Sequence, residues 1–316
     1  MLDNFDKHFV EQYAKKNQLS EKHVKEFLNE FRTAFREFIT EELTSNIAQA
    51  SPIAPSKVLG LDLAIQGIPS GITQIYGWPD GFKTALLMHI ANFTAELPVL
   101  INADNHPLRW KVKENFLLVP NYRKANEVCK KILYTNLTDL IMVDSITSMD
   151  RSIDFIKSMI KALRAYPELR ILFSNQTRSS KHSDNVPWGP DWFHSVTTTR
   201  IGITKQERTA YGTKMHYKVD KTPFSEYAKK QFYIYFDSTG NINNGLYLVD
   251  IAVSAGVLTR VGPRFKLKDK TYTLGELSRQ PDVFKEIWNS MTLDFLPESI
   301  RNRPSDYLDN KMENQI

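Results

Sequence analysis

A lysine and a hydroxyl, Lys83 and Thr84, close the stretch Gly77-Trp78-Pro79-Asp80-Gly81-Phe82-Lys83-Thr84, which follows an apolar run and opens a helix-length segment. A loop with this spacing grips phosphates. Backbone N–H groups at a helix N-terminus cradle the anion, the lysine reaches the outer phosphates, and the hydroxyl holds magnesium. The template asks for glycine at the sixth position, where this chain has Phe82. A residue with helical φ there turns its side chain away from the phosphates, so the expectation is a loop bent out of pattern but not abolished. A magnesium nucleotide site also needs a carboxylate at the end of an apolar strand. Asp144 fits, ending the run Leu140-Ile141-Met142-Val143 about 60 residues after Thr84. Taken singly, such a loop can arise by chance and a strand-terminal aspartate can be a helix N-cap. Their order and spacing argue against coincidence.

The elements that must position these residues follow from the pattern of apolar runs. "ITQIYG" (72–77) precedes the helical "KTALLMHIANFTAEL", "PVLIN" (98–102) precedes "YRKANEVCKKILYTN", "DLIMVD" (139–144) precedes "SIDFIKSMIKALRAY", and "RILFSNQ" (170–176) follows. Alternation of this kind predicts an α/β fold with a mostly parallel central sheet flanked by helices. After residue 176 comes a polar loop. Then "TRIGITKQ", "KMHYKVDK" and "QFYIYFD" read as an antiparallel extension of the sheet. Ligands bind beyond the carboxyl ends of such strands, where Gly77, Asn102, Asp144 and Asn175 lie.

Residues 1–50 are predicted to be an N-terminal helical segment. Val24, Phe27, Phe31, Phe35, Phe38 and Leu43 recur at helical spacing, and two prolines within residues 45–57 mark a linker. The apolar stripe has two possible destinations, the chain's own core or a neighbouring subunit. The remaining boundaries are a core over 51–245, a small C-terminal subdomain over 246–293 and a mobile tail over 294–316.

Composition sets wide limits. The 316 residues are 41% hydrophobic and 24% charged, with a net charge of +5, an ordinary folded chain that permits an anionic partner. The single cysteine, Cys129, cannot form an intramolecular disulfide, and no Cys/His cluster has metal-ligand spacing. No apolar run approaches the roughly 18 residues of a membrane span, and the N-terminus lacks a signal-like apolar stretch. A soluble intracellular protein without a membrane partner is expected.

Several of these segments together resemble the RecA recombinase family, and more loosely its tailed-phage members of the UvsX type. The likeness covers roughly residues 57 to 292. "LDLAIQGIPSGITQIYGWPDGFKT" is similar to the family's P-loop region, "LIMVDSITSM" to its Walker B strand, and "ILFSNQTR" to the strand whose glutamine senses the γ-phosphate. "QFYIYFDSTGNINNGLYLVDIAVSAGVL" followed by "SRQPDVFKEIW" is the most diagnostic part.

The resemblance implies a RecA-like P-loop ATPase core using ATP and Mg2+. Gly77, Trp78, Pro79, Asp80, Gly81, Phe82, Lys83 and Thr84 would hold the nucleotide, and Thr84 and Asp144 the metal. Asp104 would stand where the family has a water-activating glutamate, one methylene longer, which implies slow hydrolysis. Gln176 would couple phosphate state to a DNA loop containing Arg178, Lys181, His182, Val186 and Trp188. Arg151 is the one base of a shortened first DNA loop. Lys221 would complete the site of an adjacent subunit, and the family's second such lysine is displaced here, with Lys218 the nearest candidate. The implied partners are single- and double-stranded DNA, further copies of the chain in a helical filament, a loader and a single-strand-binding protein. The implied setting is the cytoplasm of a bacterium or of its phage-infected form. Three functional readings stay open: a strand-exchange recombinase, an ATP-gated DNA-binding scaffold with little hydrolysis, and a helicase-type motor.

Overall fold

The computed structural model describes residues 20, 22, 53–94, 98–103, 117–119, 138–148, 152–180, 183–187, 189, 191–223, 228–291, 301–302 and 304–307. The chain divides into two units, Met1–Ser51 and Pro52–Ile316. The amphipathic stripe of the first unit lies outside the described residues. So do Asp104, Arg151, Lys181, His182, Trp188 and the helix expected around Cys129.

The described chain begins with β1 (Ile53–Ala54), α1 (Leu59–Ile65), β2 (Ile68–Pro69), β3 (Gly71–Gly77), α2 (Lys83–Thr94), β4 (Val99–Asn102), β5 (Leu117–Val119) and β6 (Leu140–Asp144). It continues with α3 (Ser152–Ala165), β7 (Arg170–Ser180), β8 (Ser183–Pro187), α4 (Asp191–Val196), β9 (Thr199–Thr209), β10 (Gly212–Lys221) and β11 (Gln231–Phe236). The last elements are α5 (Asn244–Ser254), β12 (Thr259–Val261), β13 (Arg264–Leu267), β14 (Lys270–Thr273), α6 (Leu274–Arg279), α7 (Pro281–Ser290) and a 3-10 turn over Pro304–Tyr307.

The main sheet has the order β11-β10-β9-β3-β7-β6-β4-β5, with β8 paired to β7. From β9 to β5 every neighbouring pair is parallel, whereas β10 and β11 add on antiparallel. The sheet is therefore the mixed α/β arrangement expected from the sequence. Burial explains the two strand textures. All residues of β4 and β6 are buried, because helices cover both faces of a parallel sheet, and such strands read as unbroken apolar runs. β11 alternates buried with more exposed positions, as a strand packed mainly on one face does. On one face Leu86, Leu87 and Ile90 of α2 pack with Leu100, Met142 and Leu172. On the other, Phe155, Ile156 and Met159 of α3 pack with Ile101, Val143 and Phe173.

Three places depart from the sequence reading. Residues 53–57, read as linker, are fixed: β1 pairs with β2, and Ser56 is buried and donates through both its N–H and its hydroxyl to the Asp62 carboxylate. The strand over 170–176 continues to Ser180 and turns back as β8, so the expected loop is a hairpin with Thr177 opposite Pro187 and Arg178 opposite Val186. Finally, the stretch read as a mobile tail contains a docked piece. Tyr307 is buried, stacks on Trp288 at 5.8 Å, and donates to Asp62 at 2.9 Å. That contact joins a third core, built from Leu59 of α1, Leu248 of α5, Leu277 of α6 and Phe284 of α7.

Candidate nucleotide site

β3 ends at Gly77 in the middle of the sheet, between β7 and β9, with Gly77 in register with Gln176 and Tyr76 with Gly202. The chain reverses over Trp78–Phe82, and α2 starts at Lys83. Gly81 is buried because the turn is tight: a Cβ there would lie 2.7 Å from Ile203 Cδ1 and 3.2 Å from the Trp78 carbonyl. A larger residue would require the Ile203 side chain to shift.

Phe82 departs from expectation. Its φ is +55°, in the left-handed region and not the right-handed helical one. The ring stacks on Phe236 at 4.7 Å and 24° and packs against the core beneath α2. A left-handed non-glycine residue costs about 1–2 kcal/mol, and the half-buried ring offsets that cost. Phe82→Ala keeps the strain and loses the ring, so a loss of about 2–3 kcal/mol is expected, below the range for a fully buried phenylalanine. Phe82→Gly also loses the ring but sheds the strain, at the cost of a freer unfolded chain. Glycine should therefore be more stable than alanine here by about 0.5–1 kcal/mol, the reverse of the order in a helix. Urea unfolding of the two variants checks the order.

Lys83 is 8% exposed, and its ammonium donates to the Trp78 carbonyl at 2.7 Å and reaches the Gly77 carbonyl at 3.5 Å. The charge thus lies inside the curve of the loop. Thr84, on the next position of α2, donates its hydroxyl to Asp144 Oδ2 at 2.5 Å. Ser174 of β7 donates to the other oxygen, Oδ1. Both oxygens of a carboxylate that is 6% exposed are therefore held by hydroxyls from two different elements. Beside it, Asn102 of β4 lies in register with Asp144, and the Ala103 N–H donates to the Asp144 carbonyl at 2.6 Å.

This donor set suits a phosphate chain with a hard divalent cation. The first turn of a twelve-residue helix presents N–H groups that have no intrahelical acceptor, at the positive end of its dipole. Lys83 adds a full charge, and the paired hydroxyl and carboxylate of Thr84 and Asp144 are the oxygen ligands that magnesium prefers.

The other predicted residues fall into two groups. Gln176 is half-buried at the foot of the β7–β8 hairpin, and its N–H donates to Asn175 Oδ1 at 2.8 Å. Arg178 and Val186 stand opposite each other on that hairpin. Lys218 and Lys221 lie on β10, two strands from β3. Lys218 pairs with Asp220 at 3.5 Å. Lys221 donates to the Ser195 carbonyl at 2.7 Å and the His194 carbonyl at 3.1 Å, at the C-terminal end of α4. Its pKa is lowered, first by burial and then by the charge of Arg200. No motif in the sequence gives Ser174 a role. Strand alternation places it on the face of Leu172 and Gln176, and that period was the signal available.

No family model matches the chain. Among curated proteins it is similar to Protein RecA of Roseiflexus sp. (strain RS-1), with 30% identity over 122 residues, which is 34% of this chain and 34% of that protein. The match thus spans about a third of the length of that relative. The mixed, mostly parallel sheet flanked by helices, together with this partial similarity, is consistent with a RecA-like core.

Proposed function

We propose that this chain is an ATP-dependent DNA recombinase that assembles as a filament on single-stranded DNA and promotes homologous pairing and strand exchange with a duplex. The observation that carries the reading is one constellation: Lys83, Thr84 and Asp144 converge at the end of the central strands, and the β7–β8 hairpin rises from Gln176 beside Gly77.

In this reading Lys83 and the first-turn amides of α2 hold the phosphates of ATP, and Thr84 with Asp144 holds Mg2+. The bound metal neutralises charge on the outer phosphates. Asp104 orients the attacking water. Because a displacement of about 1 Å can cost roughly 100-fold in rate, its short side chain makes turnover slow. Arg178, Lys181 and His182 meet DNA phosphates, joined by Arg151, while Val186 and Trp188 contact bases, where stacking is worth about 1–3 kcal/mol per base. Lys221 and Lys218 reach the nucleotide of an adjacent subunit, and the apolar stripe of residues 24–43 joins the subunits. One observation favours a second reading, an ATP-gated scaffold: Lys221 is engaged by carbonyls of its own chain.

The test is ATP turnover by the full chain with and without long single-stranded DNA, with a Lys83→Met control. Turnover that rises with DNA and disappears in the control supports the recombinase. ATP-dependent DNA binding without turnover supports the scaffold, and binding of neither overturns both. DNA affinity should fall steeply as salt rises, because phosphate neutralisation releases counterions. A flat salt response would remove the basic hairpin from the interface.

A further inference from the structure

The foot of the β7–β8 hairpin and the helix that follows it are each tied to one of the last two residues of β3. The first tie is direct, Gln176 in register with Gly77. The second runs through side chains. Beyond β8 the chain enters α4, whose Phe193 meets Phe173 edge-on at 5.8 Å and whose last carbonyls, His194 and Ser195, accept from Lys221. The residue before Lys221 is Asp220, and its carboxylate accepts from the hydroxyl of Tyr76, the residue before Gly77. Tyr76 reaches Asp220 across β9 because the intervening position is Gly202, where a Cβ would lie 2.5 Å from the Tyr76 hydroxyl oxygen.

A polar group without a partner lies next to this path. Gln74 is fully buried, and neither its amide oxygen nor its amide nitrogen has a hydrogen-bond partner among the described residues. Two residues before Tyr76, it shares that side chain's face of β3 and lies in register with Arg200. The charge of Arg200 acts on both Tyr76 and Lys221. Leaving a buried amide unpaired is costly. A hydrogen bond from Arg200, its register partner on β9, would relieve that cost and would change the field at Tyr76 and Lys221, a second arrangement of the kind that coupling needs.

We infer that Tyr76, Asp220 and Lys221 form a positioning relay through which occupancy of the loop over residues 77–84 sets the placement of α4 and of the hairpin before it, with Gln74 and Arg200 supplying its second arrangement. The inference rests on the proposed reading for the identity of the two ligands.

The experiment measures affinity for a fluorescent ATP analogue, and for labelled oligothymidylate with and without ATP, in the full chain and in Tyr76→Phe, Asp220→Ala and Gln74→Leu. Hydrogen exchange of the α4 amides is followed in parallel. Tyr76→Phe should keep nucleotide affinity, and DNA affinity without nucleotide, within about 2-fold, while the factor by which ATP strengthens DNA binding falls at least about 5-fold. The response of the α4 amides to ATP should vanish with it. Asp220→Ala should do the same, and Gln74→Leu should lower the coupling factor while raising the unfolding temperature, a combination that a purely structural role does not produce. A coupling factor and an exchange response both unchanged in Tyr76→Phe and Asp220→Ala overturn the relay alone. If ATP binds without affecting DNA affinity in the parent chain, the recombinase reading fails, and the exchange response alone decides the relay. A chain that binds no nucleotide overturns both.

Discussion

Replacing Lys83 with methionine should slow ATP turnover by roughly 100- to 1,000-fold, the scale seen when one preorganised donor to a charged transition state is removed. Methionine keeps an unbranched stem in the buried site and removes only the ammonium. In the structure that ammonium is satisfied by the Trp78 and Gly77 carbonyls, so the loop already holds a positive charge where phosphate oxygens would gather. Asp144→Asn should cost a similar factor for a different reason. An amide oxygen can still accept from Thr84 or Ser174, but the negative charge that draws magnesium is gone, so the rate loss should shrink as magnesium is raised. Raising magnesium should leave the Lys83→Met loss unchanged. Steady-state turnover across a magnesium series separates the two. A Lys83→Met chain within about 10-fold of the parent would remove this loop from the chemistry.

Much of the candidate site is legible because its residues are consecutive or end apolar runs. The spacing from Gly77 to Thr84 and the position of Asp144 are one-dimensional facts, and the parallel sheet brings them together by register. What was not legible depends on contacts between distant segments. Phe82 adopts a left-handed φ because Phe236, more than 150 residues on, offers its ring a stacking surface. Residues 53–57 look like a linker until Asp62 collects the N–H and hydroxyl of Ser56. The docked 3-10 turn at 304–307 has a polar sequence that gives no hint of burial, because a single residue, Tyr307, supplies the contact with Trp288 and Asp62. The segment after Gln176 looks like a loop in the sequence because its residues are polar. A two-stranded ribbon is held by its backbone ladder and needs no apolar alternation to keep it, so it leaves no trace in the hydrophobic period.

Two buried ionisable groups close to that docking point make opposite demands on pH. Burial pushes the Asp62 carboxyl up to about 6, against the hydrogen bonds from Ser56 and Tyr307, and burial pushes the His89 imidazole down to about 4, against its contact with the Lys57 carbonyl. Folded Asp62 keeps a proton that the unfolded chain releases, so its contribution is complete below the ordinary carboxylate value and is lost as pH rises through about 6. Folded His89 refuses a proton that the unfolded chain accepts. Its contribution is complete above the ordinary imidazole value and is lost as pH falls toward about 4. Each amounts to roughly 3 kcal/mol, and between these limits their slopes cancel. The parent chain should therefore owe little pH dependence to this pair. Asp62→Asn should expose the histidine slope, so that stability rises from pH 4 to 6.5. His89→Leu should expose the carboxylate slope, so that stability falls over the same interval, while an Nδ1 with no partner among the described residues is removed. Urea unfolding of the three chains at several pH values measures both slopes, and parallel profiles would show that the two groups are not the opposed pair their burial makes them. The difference between the variants, roughly 6 kcal/mol across the interval, is as large as the whole stability of many domains. Opposed titration is thus what lets a buried carboxylate with no basic partner among the described residues pin Ser56 and Tyr307 without making the fold sensitive to mild acid.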